Sequence, residues 1–204
     1  MIRAMKRRLA ILAAAFAALA LLASCATSSL VAQKSNPDYV GKSFKSVMVV
    51  AVTTDELVRR TFEDRMVALL GKRGLKGIPA YAAVGSRGQV EEADLRQAIA
   101  RSGAEGVLVT RVTRVDRSSG TLPGATVAVG LYGYYSGVWQ TVYLAPQKIT
   151  GPSWTVSETR LFDAKNGVLA WTGVMDTREN DDLSAALTQY VNVIFDAMVN
   201  DRVL

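Results

Sequence analysis

The 204-residue chain reads as a single mixed α/β domain, ordered β-α-β-α-β, an insertion, then β-β-α. Three observations predict this. Ser46 to Val52 (SVMVVAV) is an unbroken apolar, β-branched run of strand length, the pattern of a strand covered on both faces. Segments with apolar residues at helical spacing alternate with further strand-length runs, which implies a mixed sheet packed with helices. Asp163-Ala164-Lys165-Asn166-Gly167 is a turn signal between two strand runs, so those two form a hairpin.

The elements follow in order. After the first strand, Thr54 or Asp55 caps a helix. Val58, Phe62, Met66, Leu69 and Leu70 form its inner face, Arg59, Glu63 and Lys72 its outer one, and Gly74 fits the stop position. Lys76 to Val84 reads as a second strand near a sheet edge, because Pro79 lacks a donor. Gly85-Ser86-Arg87-Gly88 is a turn. Glu91 to Ser102 is a second helix with Leu95 and Ile99 inward, stopped by Gly103. Gly106 to Val115, Trp154 to Phe162 and Val168 to Thr177 are strands three to five. Asp181, Asp182 or Ser184 caps the last helix, whose apolar face is Leu183, Leu187, Tyr190, Val191, Ile194 and Met198.

The chain ahead of this domain is an address. Residues 1–24 carry Arg3, Lys6, Arg7 and Arg8 and no acid, then the apolar run Leu9 to Leu22. Those fourteen residues are short for a membrane span and fit a secretory signal. The formal charge of +6 thus reflects targeting, because the remainder has 20 basic and 18 acidic residues. A nearly balanced domain has no electrostatic footprint for nucleic acid. There is no histidine and one cysteine, which excludes histidine acid/base chemistry, Cys/His zinc sites and an intrachain disulfide.

Leu22-Ala23-Ser24-Cys25 resembles the lipobox of bacterial lipoproteins, with the only cysteine at the position that lipidation requires. The resemblance implies cleavage between Ser24 and Cys25, acyl chains on Cys25 and attachment to a membrane. Ala26, after the cysteine, implies the outer membrane. Residues 25–45 are then expected to be a lipidated flexible tether and residues 46–204 the domain.

The domain's layout resembles periplasm-facing lipoproteins such as the curli export-channel lipoproteins and the activators of penicillin-binding proteins, and also the N-terminal domain of TolB. The sharper match is Glu158-Thr159-Arg160-Leu161-Phe162-Asp163 running on to Gly167-Val168-Leu169-Ala170-Trp171-Thr172-Gly173, similar to a hairpin common in this group. Gly106-Val107-Leu108-Val109 after Gly103-Ala104-Glu105 is similar to another of its strands. These motifs support a fold and carry no catalytic residue across.

Ser118 to Gln147, within an insertion spanning 118–153, holds 30 residues without one Asp, Glu, Lys or Arg. Its glycines and Pro123 argue against a spanning helix. Thr126 to Tyr135 and Val138 to Leu144 have strand length. The segment is read as a loop folded over its own domain, or as a surface through which Tyr132, Tyr134, Tyr135, Trp139 and Tyr143 contact a partner or membrane. Arg111, Arg114 and Arg117 read as a solvated face or a partner face. Glu91, Glu92 and Asp94 read as acids favoured at a helix start.

No nucleophile–base pair, phosphate loop or metal-binding motif is present. The expectation is a non-enzymatic, lipid-anchored, periplasm-facing lipoprotein of the outer membrane, without cofactor or metal. Its expected work is envelope assembly or contact with an envelope protein. The alternative is a subunit of an oligomeric outer-membrane channel of curli-export type, which would insert the 118–147 segment as a hairpin.

Overall fold

The computed structural model describes residues 28–84, 90–116, 130–144, 153–177 and 182–204. The signal segment with Ser24 and Cys25, the Gly85–Gly88 turn, Arg117 and Asp181 lie outside the described residues. The strands are β1 (Ser28–Ser35), β2 (Ser46–Val52), β3 (Lys76–Pro79), β4 (Gly106–Asp116), β5 (Ser153–Asp163) and β6 (Leu169–Thr177). The helices are α1 (Glu56–Lys72), α2 (Ala80–Val84), α3 (Glu92–Ser102), α4 (Gly130–Trp139) and α5 (Leu183–Asn200), with a turn of π-helix at Gln140–Leu144.

The six strands form one mixed sheet in the order β1-β6-β5-β4-β2-β3. β2 is parallel to both β3 and β4, while β4, β5, β6 and β1 run antiparallel in succession. β2, β4 and β6 therefore all finish at one end of the sheet, where β1 begins; this is the upper end. The β5–β6 turn marks the lower end.

The hairpin forms as expected, with Asp163 Oδ1 accepting from the Lys165 and Asn166 amides and Gly167 at φ +69°. Asp55 caps α1 by accepting from the Leu57 and Val58 amides at 2.9 and 3.1 Å. Asp182 caps α5 through the Ala185 amide, and Leu183, expected on the apolar face of that helix, instead stands exposed in its first turn, ahead of the buried stripe that begins at Ala186. β3 lies at an edge but is shorter than expected: from Ala80 the chain turns into α2.

Two expectations are corrected. Of residues 25–45, expected to be a flexible tether, 28–45 are part of the fold: Ser28 to Ser35 pair with β6 and Pro37–Tyr39 form a 3-10 turn. A bulge between Leu30 and Ala32 leaves Val31 turned outward. The insertion is not a pair of strands where it is described: Gly130 to Leu144 is helical. Leu131, Tyr134, Tyr135 and Val138 recur at i, i+3, i+4 and i+7, so one side of α4 is apolar and buried.

Each face of the sheet has its own core. On one face α1 and α5 cover Val47, Val49, Leu108, Leu161 and Trp171 with Phe62, Met66, Leu70, Val191 and Ile194. On the other, α2, α3 and α4 cover Met48, Val50, Val107, Val109 and Phe162. Trp171 is fully buried, and its Nε1 donates to Asp201 Oδ2 at 2.8 Å. Its ring lies over Gly173, where a Cβ would fall inside the indole. Glycine is needed there for that packing.

Trp171→Ala is expected to cost about 3–5 kcal/mol, the range for truncating a buried aromatic. Gly173→Ala is expected to destabilise the wild type more than it destabilises Trp171→Ala, because the clash needs the ring. Chemical denaturation of the four combinations checks both.

Candidate functional site

In an open sheet with parallel strands, the crevice above the carboxyl ends is the usual ligand position where successive connections leave to opposite faces. Here that place is the upper end of β2 and β4: β2 leads to α1 on one face, and β4 leads towards α4 on the other. One row of the sheet crosses it, pairing Val52 with Arg111, Arg111 with Glu158 and Glu158 with Val174. Strand alternation turns Arg111, Glu158 and Arg160 to the α4 face.

These side chains form a nearly dry charged cluster. Glu158 Oε2 accepts from Arg111 Nε at 2.9 Å and from the Tyr134 hydroxyl at 3.0 Å. Glu158 Oε1 accepts from Arg160 Nε at 2.9 Å and lies 2.7 Å from its Nη2. The Arg160 guanidinium sits 4.2 Å from the centre of the Tyr134 ring. Burial first, then the Glu158 charge, raises the Tyr134 phenol well above its usual range, so it stays a neutral donor. The arrangement holds α4 against β4 and β5. On the opposite face Thr159 Oγ1 meets Thr110 Oγ1 at 2.9 Å and the Tyr190 hydroxyl at 2.8 Å, tying β4, β5 and α5 together.

A second buried carboxylate lies beside the crevice. Arg59 and Glu63, expected on the outer face of α1, are both buried. β3 ends opposite Val49, so the end of β2 has no β3 neighbour there. Glu63 Oε1 accepts from the Ala51 amide and Oε2 from the Tyr81 amide, each at 3.0 Å. The second is a first-turn donor of α2 with no partner inside that helix. Burial pushes the Glu63 carboxyl up to about 7, against the opposing pull of those amides and of Arg59.

The five aromatic residues expected to contact a partner or membrane are brought together by α4 and the π turn, but mostly against the domain itself. Tyr134 and Tyr135 are buried, and the Tyr135 hydroxyl donates to the Val90 carbonyl at 2.5 Å, so neither presents a contact surface. Tyr143 donates to the Thr53 carbonyl at 2.9 Å and packs on Trp139, ring centres 5.5 Å apart. Tyr132 lies under the Arg96 guanidinium at 3.4 Å. Tyr132, Trp139 and Tyr143 are partly buried on the same core. The crevice is thus filled by the chain's own insertion. The channel reading loses the strands it required at Thr126–Tyr135 and Val138–Leu144, wherever those residues are described.

Arg111, expected on a solvated face, instead pairs with Glu158 inside; the Arg114 side chain lies outside the described residues. Glu92 bonds Arg96 one turn on, at 2.7 Å. At the lower end a cleft of about 580 Å³ opens between Tyr39, Phe44, Ile99 and Lys165, with mixed charges on its walls. Among the described residues, no helix is long and apolar enough to cross a membrane.

The sequence signal for the charged cluster was present in Val156-Ser157-Glu158-Thr159-Arg160-Leu161, where charges sit at alternate positions inside a strand between apolar residues. Nothing local marks Glu63, whose place depends on where β3 stops.

Two outcomes test this geometry. Glu158→Ala leaves two buried guanidinium groups without their carboxylate and is expected to cost about 3–5 kcal/mol, whereas Tyr134→Phe loses one hydrogen bond, about 0.5–1.5 kcal/mol. The Glu63 carboxyl is raised from 4.5 to about 7, so between those values the folded state holds a proton that the unfolded state releases. Stability is therefore expected to fall as pH rises through that window, by at most about 1.4 kcal/mol per unit, and the slope disappears in Glu63→Gln. Urea denaturation at half-unit pH steps reads it.

No protein-family model matches the chain, and no curated protein matches it. Among solved structures, a PelC dodecamer from Paraburkholderia phytofirmans is 13% identical over 87% of this chain and 99% of that one, with a TM-score of 0.45. A variant of that PelC dodecamer is 12% identical over 82% of this chain and 96% of that one, with a TM-score of 0.46. A PDZ domain protein from Parabacteroides distasonis is 12% identical over 82% of this chain but 35% of that one, with a TM-score of 0.36.

Proposed function

We propose that the chain is a lipoprotein held at the periplasmic face of the outer membrane by acyl chains on Cys25. Its work there is non-enzymatic: envelope assembly through contact with another envelope protein. The observation that carries the reading is the position of the chain's only cysteine. It closes the lipobox-like Leu22-Ala23-Ser24-Cys25 directly after a basic and then an apolar run. Two or more acyl chains anchor stably where one does not.

The non-enzymatic part is supported by how the crevice is used. Its carboxylate and its tyrosine are engaged with arginines of the same chain, and α4 lies over them. That arrangement fixes a shape, which suits a protein acting by contact.

Cys25→Ala is expected to abolish labelling by an alkynyl palmitate and acyl-anchored membrane retention, with an unchanged thermal midpoint. Retention equal to wild type, with neither form labelled, contradicts the anchor. Native mass in mild detergent tests the second part: a monomer or dimer agrees with an accessory, and a large ring revives the channel.

A further inference from the structure

We propose that the upper end of the domain is a lipid-facing surface, with Leu57 and Leu183 seated in the headgroup layer. The inference rests on acylation of Cys25 and adds which part of the domain meets the bilayer.

Only Ala26 and Thr27 separate Cys25 from Ser28, where β1 enters the sheet. Three Cα steps span at most about 11 Å. An acylated cysteine lies in the interfacial zone, itself roughly 5–8 Å deep on each side of the hydrocarbon. Ser28 is fixed to the sheet twice, by its pairing with Thr177 and by its hydroxyl 3.1 Å from Thr177 Oγ1. The upper end therefore cannot leave the bilayer surface. The lower end is the length of β6 away, nine residues or roughly 30 Å.

What the upper end exposes fits that position. β2 and β6 run parallel, so α1 and α5, which follow them, both begin there. Each opens with a capping aspartate and then a leucine pointing outward: Asp55 with Leu57, Asp182 with Leu183. Leu57 is 67% exposed, the most of any large apolar side chain described, and Leu183 is 46% exposed. An exposed leucine alone is ordinary. Two of them, on helices starting at the end that a three-step link holds to lipid, have an apolar phase within reach. Beside them stand the capping acids Asp55 and Asp182, while Glu56 pairs with Arg60 at 2.7 Å, so a zwitterionic surface suits this end better than an anionic one. Val40 and Val168, also exposed, belong to the lower end and serve as internal controls.

The test uses the full acylated protein in phosphatidylcholine vesicles containing lipid spin-labelled near the headgroup. Leu57→Cys, Leu183→Cys, Val40→Cys and Val168→Cys each carry an environment-sensitive fluorophore; the Cys25 thiol is blocked by its lipid. The expected result is loss of most emission at positions 57 and 183 and none at 40 and 168. Vesicle-bound protein with no quenching at 57 and 183, or with quenching at 40 and 168, overturns the lipid-facing end and leaves the anchor intact. Shielding at 57 and 183 in native membranes but not in vesicles also overturns it, in favour of a protein partner. Protein that is not acylated and does not float with vesicles overturns the anchor and this inference together.

Discussion

The antiparallel pairing of β1 with β6 is the constraint on which this edge of the fold depends, because it converts a polar stretch ahead of the first buried strand into part of the sheet. Ser28 meets Thr177 and Ser35 meets Trp171 across that ladder. The pairing is secured at the base by Asp201, the residue capping the end of α5. Its carboxylate accepts from Ser35 Oγ at 2.8 Å, from Trp171 Nε1 at 2.8 Å and from Gln33 Nε2 at 3.3 Å. One side chain thus joins β1, β6 and the last helix, and it does so where the largest buried ring of the core ends. The Asn36 amide then donates to the Ala170 carbonyl and its side chain to Leu169, closing the bulged start of β6. With β1 in place, two residues, Ala26 and Thr27, separate Cys25 from the sheet, where a coil of twenty would otherwise stand.

The charged cluster under α4 plays a different part. Removing one carboxylate and two guanidinium groups from water is costly, and such a group stabilises a fold less than apolar packing of the same volume would. What it supplies is placement. Glu158 has two oxygens and meets donors from β4, from β5 and from α4, so only one position of the helix satisfies it. The helix in turn starts at the hairpin, where the Leu131 amide donates to the Gly167 carbonyl at 3.0 Å, and finishes near Thr53 through Tyr143. The described part of the insertion, Gly130 to Leu144, thereby supplies a third helix to the second face. The crevice above β2 and β4 is occupied by the protein's own aromatic rings.

Much of the fold was legible in the sequence, for physical reasons that can be named. Ser46–Val52 is apolar at every position because it is central and covered on both faces. Asp163 to Gly167 contains the side-chain acceptor and the positive-φ glycine that its turn needs. β1 was not legible. As an edge strand with most side chains in water, Ser-Ser-Leu-Val-Ala-Gln-Lys-Ser needs no alternation, and it looks like a linker. α4 reads as a strand because tyrosine and valine suit strands; its helical period at Leu131, Tyr134, Tyr135 and Val138 is the better guide. Arg59 and Glu63 read as outward-facing because they are charged, but the Ala51 and Tyr81 amides hold the Glu63 carboxylate inside. Tyr132, Trp139 and Tyr143 pack, partly buried, against the protein's own second core.

Hydrogen exchange along β1 in the intact protein tests the central claim most directly. The ladder with β6 predicts that amides within Ser28–Ser35 bonded to β6 exchange far more slowly than an unstructured peptide and are lost together with those of β6 as denaturant rises. Exchange of all β1 amides at the unstructured rate, with β6 still protected, would contradict it and return residues 28–35 to a free tether.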